Sequence, residues 1–402
     1  MLIQKAFKYR LVTTPEQEES LRQYAGSCRY IWNKALALQK YLLHCGERKL
    51  GYADLCKEIT AWKKMPKTEF LKEAPVHVLQ QSMKDMDRAY SNYFSKRAKA
   101  PVPKKKGKHD SFRSPDCFEI DQKNSVIRLP KIGWLRYRNS REITGRAKNI
   151  TISLHAGHWY ASVQTEQEAA EPVHQSTSRI GGDRGINSFL ALSDGTLIQP
   201  LNAFKATSRK LARLQRQLAR KVKFSENWKK AKQKITRLHS KIANMRKDYL
   251  HKLSTIVAKS HSVVVLEDLK INNMSKSASG STATPGKKVK QKAGLNKAIL
   301  DQGWYEFGRQ LEYKLKWLGG TFIKVPAQYT SQKCSCCGHT EAQNRKDQKF
   351  VCLSCGTELH ADINAARNIL AAGLAVIACG EHLEVRGSMK QEPFFNVLAS
   401  AA

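Results

Sequence analysis

The sequence predicts a multidomain α+β protein. A chain of 402 residues is too long for one ordinary hydrophobic core. Along it, the hydrophobic period switches from two to helical spacing and back more than once. Near its end, five cysteines fall within "KCSCCGHTEAQNRKDQKFVCLSCG", the pattern of a small metal-built insert. Hydrophobic residues make up 41% of the chain, an ordinary share for a folded protein.

Charge points to the partner. There are 70 Lys+Arg against 34 Asp+Glu, a formal net charge of +36. An excess of this size speaks of a polyanion, and nucleic acid bound through phosphate contacts fits it. A membrane surface is the competing polyanion. The longest apolar run, "ILAAGLAVIACG" from Ile369, is too short and too broken by Gly to span a bilayer. The start, "MLIQKAFKYR", has no signal-peptide core. The expectation is a cytosolic protein with no membrane partner. In that reducing compartment ten cysteines suggest metal or simple burial rather than disulfides.

The elements follow in order. "MLIQKAFKYRLVTT" alternates as a strand, with Phe7, Tyr9 and Leu11 on one face and Lys8 and Arg10 on the other. It runs into a helix start in which Thr14 caps, Pro15 takes the first helical position and Gln17 completes a capping box. Leu21, Ala25, Cys28, Trp32 and Leu36 then recur at helical spacing, as do Val76, Leu79, Met83, Met86, Tyr90 and Tyr93, so residues from 15 to about 98 form a helical insert after one strand. "KRAKAPVPKKKGKHDSF" is a basic connector. From Phe112 to about Gln167, alternation and turn residues predict an antiparallel β unit that the first strand joins. "EAAEPVHQSTS" is a linker. "RIGGDRGINSFLALSDGTLI" predicts a hairpin turning at Ser193-Asp194-Gly195. Residues 205 to 259 hold eighteen Lys+Arg against two acids, Glu226 and Asp248, and predict a helical hairpin with a basic face. "HSVVVLEDL" is a strand buried on both sides. "NNMSKSASGSTATPGKKVKQKAG" is a low-complexity loop. A helix from Trp304 to Trp317, the strand "TFIKV", the cysteine segment and a final helix complete the chain.

Cys334-x-x-Cys337-Gly338 and Cys352-x-x-Cys355-Gly356, fourteen residues apart, form two matched knuckles suited to one tetrahedral Zn²⁺. Cys336 breaks the match and is left out. Four thiolates leave no open coordination position, so this zinc is structural, and a ribbon this small depends on it to fold. Chance clustering of cysteines is the alternative. Three acids stand out elsewhere. Asp183 lies within a strand among Gly181, Gly182 and Gly185; Glu267 closes the "VVVL" run; Asp362 heads the last helix, with six residues between it and Cys355. Singly, each has a structural explanation, as a bulge residue, an exposed strand end and a helix cap. Together they form a set of carboxylates able to hold two Mg²⁺ ions, one to activate water and one to steady the leaving oxygen of a phosphodiester. The ribbon would then fix where the last helix begins and where Asp362 points.

The chain resembles the TnpB family, the OrfB-type proteins of bacterial insertion sequences related to type V CRISPR effectors. The resemblance runs through "FKYRLVTTPEQ", "KKKGKHDSFRSP", "GGDRGINSFLALSDG", "VVVLEDLKINNM", "LDQGWYEF", "TSQKCSCCG" and "HADINAARNIL", in that order. It implies a wedge β-barrel-like domain (1–14 and 110–178) with an inserted helical recognition lobe (15–109). It implies also a RuvC-like nuclease of RNase H fold (179–330 and 359–380), a zinc ribbon (331–358) and a C-terminal tail (381–402) read as disordered. The implied activity is RNA-guided DNA cleavage. A guide RNA copied from the transposon end, a short motif beside the target and double-stranded target DNA are its partners, in a monomeric, nucleoid-associated ribonucleoprotein. By motif position Asp183, Glu267 and Asp362 are the Mg²⁺-binding catalytic acids, with Asn364 and Arg367 at nearby polar places and Arg367 assisting with phosphate. Cys334, Cys337, Cys352 and Cys355 bind zinc. Lys8, Arg10, Lys104, Lys105, Lys106 and Lys108 are candidate nucleic-acid contacts. One position departs from the family: Arg184 replaces a usually apolar residue, and burial there requires an acid or phosphate partner. A cleavage-inactive RNA-guided repressor and a transposase acting directly in strand transfer are the competing functions.

Overall fold

The computed structural model describes residues 1–115, 117–328 and 330–378. The 381–402 tail lies outside them. The chain divides into two compact units, Met1–Ala170 with Lys232–Arg237, and the rest.

The first unit begins with β1 (Leu2–Val12), followed by α1 (Pro15–His44), α2 (Tyr52–Lys64), a short 3₁₀ turn (Pro66–Lys72) and α3 (Val76–Phe94). The strands β2 (Ser111–Ser114), β3 (Glu119–Asp121), β4 (Val126–Leu129), β5 (Gly133–Tyr137), β6 (Arg146–His155) and β7 (His158–Glu168) follow. With β1 they make a seven-stranded sheet ordered β2-β6-β7-β1-β5-β4-β3. β1 pairs antiparallel with β7 over most of its length, so the first strand does join the later β unit. Phe7, Tyr9 and Leu11 are buried, as the alternation requires, and share a core with Leu21, Ile31, Leu79 and Met83 of the helices. The Thr14/Gln17 capping box forms in full, an arrangement worth about 1 kcal/mol. α2 was not singled out in the sequence. It has Leu55, Ile59 and Trp62 on its buried face, but it starts at Gly51 with no side-chain cap to announce it.

The second unit contains β8 (Arg179–Asp183), β9 (Leu190–Leu192), β10 (Leu197–Ile198), α4 (Ala203–Ala219) and most of α5 (Glu226–Ser260). Then come β11 (Val263–Glu267), α6 (Ile271–Met274), α7 (Val289–Gln302), α8 (Trp304–Leu318) and β12 (Thr321–Val325). The ribbon strands β13 (Arg345–Lys346), β14 (Lys349–Val351) and β15 (Glu358–His360) lead directly into α9 (Ala361–Ala378). The larger sheet is five-stranded, ordered β10-β9-β8-β11-β12. β10 and β9, and β9 and β8, pair antiparallel, while β8 and β11, and β11 and β12, pair parallel. The hairpin turn expected at 193–195 is present, closed by Gly195 at φ +100°. The segment read as one loop to Gly294 is helical from Val289: Lys290 is exposed, Lys292 is half-buried, and only Ile299, Asp301 and Gln302 of α7 are buried.

α9 is long and apolar enough, by length and composition, to cross a membrane, but it packs on β8, β9 and β11. Its approach is close at Gly181, where a Cβ would lie 2.3 Å from the Ala366 carbonyl oxygen. Gly181 thus brings the helix backbone onto the strand, a contact any side chain would forbid. Below it, Val264, Leu266, Phe189, Phe307 and Leu311 belong to the unit's main core.

Candidate active site and metal clip

The metal clip forms as its spacing predicts. The Sγ atoms of Cys334, Cys337, Cys352 and Cys355 all lie within 4.8 Å of one another. Each knuckle turns back through a glycine in the left-handed region, Gly338 at φ +79° and Gly356 at φ +69°, which side chains other than glycine rarely adopt. Cys336 is exposed and outside the set, and its amide points at Cys334 Sγ, 3.4 Å away. The Thr357 hydroxyl and amide hold the Cys355 thiol down to about 6, which favours the thiolate that a metal needs. Four soft donors with amides aimed at the sulfurs fit a tetrahedral d¹⁰ cation. The ribbon's buried cluster is only Cys334, Phe350, Cys352 and Ala361. Such a core is small against the conformational entropy of ordering the loops, a difference that a metal held by the four thiolates would supply.

The clip is fastened to α9 by two asparagines. Asn364, fully buried, accepts from the Ser335 amide at 2.9 Å and donates to the Lys333 carbonyl at 2.8 Å. Asn368 Nδ2 reaches the same carbonyl at 2.6 Å and the Thr330 carbonyl at 2.9 Å. Cys334 is therefore held from both sides.

The three acids come from separate elements and meet at one end of the sheet. β8 and β11 run parallel with Gly182 opposite Leu266, which places Asp183 level with Glu267. α9 crosses β8 at Ala366, so its first turn overhangs the strand end, and a Cβ on Gly185 would lie 3.9 Å from Asp362 Oδ2. Burial, and then the charges of Glu267 and Asp362, push Asp183 up to about 7 from an ordinary 3.8. Burial also raises Glu267, against the opposing pull of the Thr330 hydroxyl, Arg184 and Arg345. Glu267 is 8% exposed, not the solvated strand end that its position allowed. Asp362 does not spend its carboxylate on capping; it pairs with Arg345 at 3.0 Å. Among the described residues, the carboxylates are not drawn within the 4.8 Å that unites the sulfurs; Arg345 opposes the rise at both Asp183 and Glu267, and Arg184 opposes it at Glu267. Two or three carboxylates at this spacing, one of them reluctant to ionise, suit hard divalent cations that take oxygen ligands.

Among the described residues, Arg184 hydrogen-bonds no carboxylate side chain. Its guanidinium donates to the backbone carbonyls of Glu267 and, at 3.4 Å, Trp304, while Nε is buried without a partner. Burial brings it down to about 10, so it stays charged beneath the acids. Arg367 is exposed and turns Nε to the Ser193 carbonyl at 3.4 Å. Sequence reasoning missed Arg345 and Thr330. Among 70 Lys+Arg one more arginine carries no signal, and a threonine four residues before a cysteine has no pattern to mark it.

The candidate nucleic-acid residues are placed unevenly. Lys105, Lys106 and Lys108 are exposed. Lys104 is pinned: its amide and carbonyl bond Asn33, and its ammonium lies 4.0 Å from the Trp32 ring centroid. Lys8 extends over Tyr160 at 4.7 Å, and Arg10 bonds His158 Nδ1 at 2.9 Å.

Comparison with known proteins bears on the family and the fold. A family model described as "Probable transposase" (OrfB of IS605) matches residues 162–278. One described as "Cas12f1-like, TNB domain" matches 304–369, and a "Helix-turn-helix domain" model matches 1–48, where the structure has one strand and one long helix. A protein of Escherichia coli K12 named "Putative RNA-guided DNA endonuclease InsQ" is 52% identical over 99% of both chains. One of Streptomyces pristinaespiralis named "Putative RNA-guided DNA endonuclease" is 33% identical over 97% of this chain and 96% of its own. A solved Cas12f1–sgRNA–target DNA complex shares the fold at a TM-score of 0.54 and 15% identity, over 92% of this chain and 98% of that one. The chain belongs to the OrfB/TnpB family.

Proposed function

We propose that this protein is an RNA-guided DNA endonuclease that hydrolyses phosphodiester bonds at Asp183, Glu267 and Asp362. The observation that carries the reading is the convergence of these three acids from β8, β11 and α9, with Asp183 raised to about 7 by burial and by the other two charges. A site so costly without cations is a site made for them. The sheet order supports a RuvC-like, RNase H-type domain (179–330 and 359–380): three antiparallel strands, then two parallel ones. The wedge (1–14, 110–178), recognition lobe (15–109) and ribbon (331–358) complete the proposed plan.

Asp183, Glu267 and Asp362 would hold Mg²⁺, and Cys334, Cys337, Cys352 and Cys355 one structural Zn²⁺. Divalent cations, when bound, supply the Lewis acidity that activates water and steadies the leaving oxygen. The chain's own groups do the rest. Arg345 offers a planar cation beside Asp362 to a phosphate. Arg184 keeps positive charge beneath the carboxylates without touching solvent-side ligands. Thr330 fixes one oxygen of Glu267. A net charge of +36 supports nucleic-acid partners; in this reading they are a transposon-end guide RNA and target DNA in a monomeric ribonucleoprotein, with the RNA–DNA duplex bound through backbone and shape, and with Lys8, Arg10, Lys105, Lys106 and Lys108 as proposed contacts. Arg367 keeps its proposed assisting role.

The test uses the full chain with its co-purifying RNA. That RNA, once sequenced, defines a matched target, which is offered beside a randomised flank with Mg²⁺. Cutting by the wild type, absent in Asp183→Ala with RNA still bound, is expected. Wild-type protein that binds RNA and matched DNA without cutting would establish a repressor instead.

A further inference from the structure

Glu267 is gripped at both ends. Arg184 holds its backbone carbonyl, and the Thr330 hydroxyl donates to its Oε1 at 2.6 Å. Thr330 and Glu267 are 9% and 8% exposed, so this hydrogen bond is shielded from water. Among the described residues Oε2 receives no hydrogen bond. Thr330 in turn belongs to the frame of the metal clip. Asn368 Nδ2 donates to its carbonyl at 2.9 Å and to that of Lys333 at 2.6 Å, and Asn364 clasps Lys333 and Ser335, the two neighbours of Cys334.

Resting on the reading of the carboxylates as a metal site, we propose that Thr330 is a positioning residue for Glu267, through which the zinc clip sets the direction of that carboxylate. Thr330 acts on Glu267 as the outer partner of a metal ligand does. A carboxylate with both oxygens free rotates about its last torsion and is a poorly aimed ligand. A donor fixed on one oxygen stops that rotation and favours the ionised form, leaving the other oxygen to the metal. The hydroxyl has one other acceptor in reach, the Ala327 carbonyl at 3.5 Å, which is too long to compete. Glu267 lies 63 residues from Thr330 in the chain, so this hydrogen bond ties the end of β11 to the clip independently of sheet pairing.

The experiment titrates Mn²⁺ into the zinc-loaded, RNA-bound full chain by electron paramagnetic resonance and records cleavage against pH. Thr330→Val is expected to weaken Mn²⁺ binding about 10-fold, the scale seen when such outer partners are lost. It should also move the acid limb of cleavage to higher pH, while zinc stays at one per chain. Thr330→Ser, which keeps the hydroxyl, should restore both. If Thr330→Val loses its zinc, Thr330→Ala is read against Thr330→Ser in its place. Mn²⁺ uptake that Asp183→Asn abolishes and that loss of the hydroxyl leaves intact would overturn this inference alone. Uptake indifferent to Asp183→Asn would overturn the metal-site reading, and the inference with it.

Discussion

Arg345, on the first ribbon strand, and Asp362, in the first turn of α9, form an ion pair of 3.0 Å in which the carboxylate is 13% exposed. The ribbon therefore does more than fix where α9 begins: it delivers a cation to the carboxylate pocket. Arg345 also opposes protonation of Asp183 and Glu267.

Replacing Arg345 tests that delivery. Arg345→Ala should slow cleavage about 100-fold, the scale for loss of one charged group in the proposed phosphate-binding role, and shift the acid limb to higher pH. Arg345→Lys should recover the pH limb but only part of the rate, because the charge returns without the planar fork. Single-turnover cleavage across pH measures both, and equal rates for alanine and lysine would show that the charge is irrelevant.

Asp183 sets a pH dependence whose sign can be worked out. Its folded value, about 7, exceeds its ordinary 3.8, so the folded chain holds the proton more tightly than the unfolded one. Without divalent metal, stability should therefore fall as pH rises from about 4 to about 7 and level off above. Bound metal displaces the proton below that point. Thermal melts of the chelator-treated, zinc-retaining protein should show this slope, Asp183→Asn should flatten it, and Mg²⁺ affinity should rise between pH 6 and 8.

Removing the clip metal should unfold the ribbon and stop cleavage. Cys352→Ser leaves three thiolates around a core of four buried residues. Limited proteolysis should then cut within 331–358, and the zinc content should fall below one per chain. Full cleavage activity from a zinc-free chain would separate the clip from the acids.

Asp301 holds the basic hairpin. α4 starts from Asn202 at φ +48° with no side-chain cap of its own; Asp301 of α7 accepts instead from the Phe204 and Lys205 amides and pairs with Arg246 at 2.7 Å. Asp301→Ala leaves two amides and a half-buried guanidinium unpaired, and denaturant unfolding should register a loss of about 3 kcal/mol.

Much of this was legible because it follows from local rules. Period-two alternation placed Phe7, Tyr9 and Leu11 inward; matched knuckle spacing separated Cys336 from the four ligands; the continuous "VVVLE" run carried Glu267 to the end of a buried strand. What was not legible depends on contacts far apart in sequence. Arg345 meets Asp362 only because the ribbon folds back. Thr330 meets Glu267 across 63 residues. Arg184 resolves its burial with backbone carbonyls, which no sequence pattern advertises. Gly181 is where α9 touches the strand, a role that its place two residues before Asp183 does not announce.

Three acids from distant segments, on the proposed reading, form one divalent-metal site. Anomalous diffraction from Mn²⁺-soaked crystals of the RNA-bound protein tests it most directly. A peak bridging Asp183, Glu267 and Asp362, lost in Asp183→Asn, is the expected result. Mn²⁺ bound elsewhere, with the three carboxylates unligated, would contradict it.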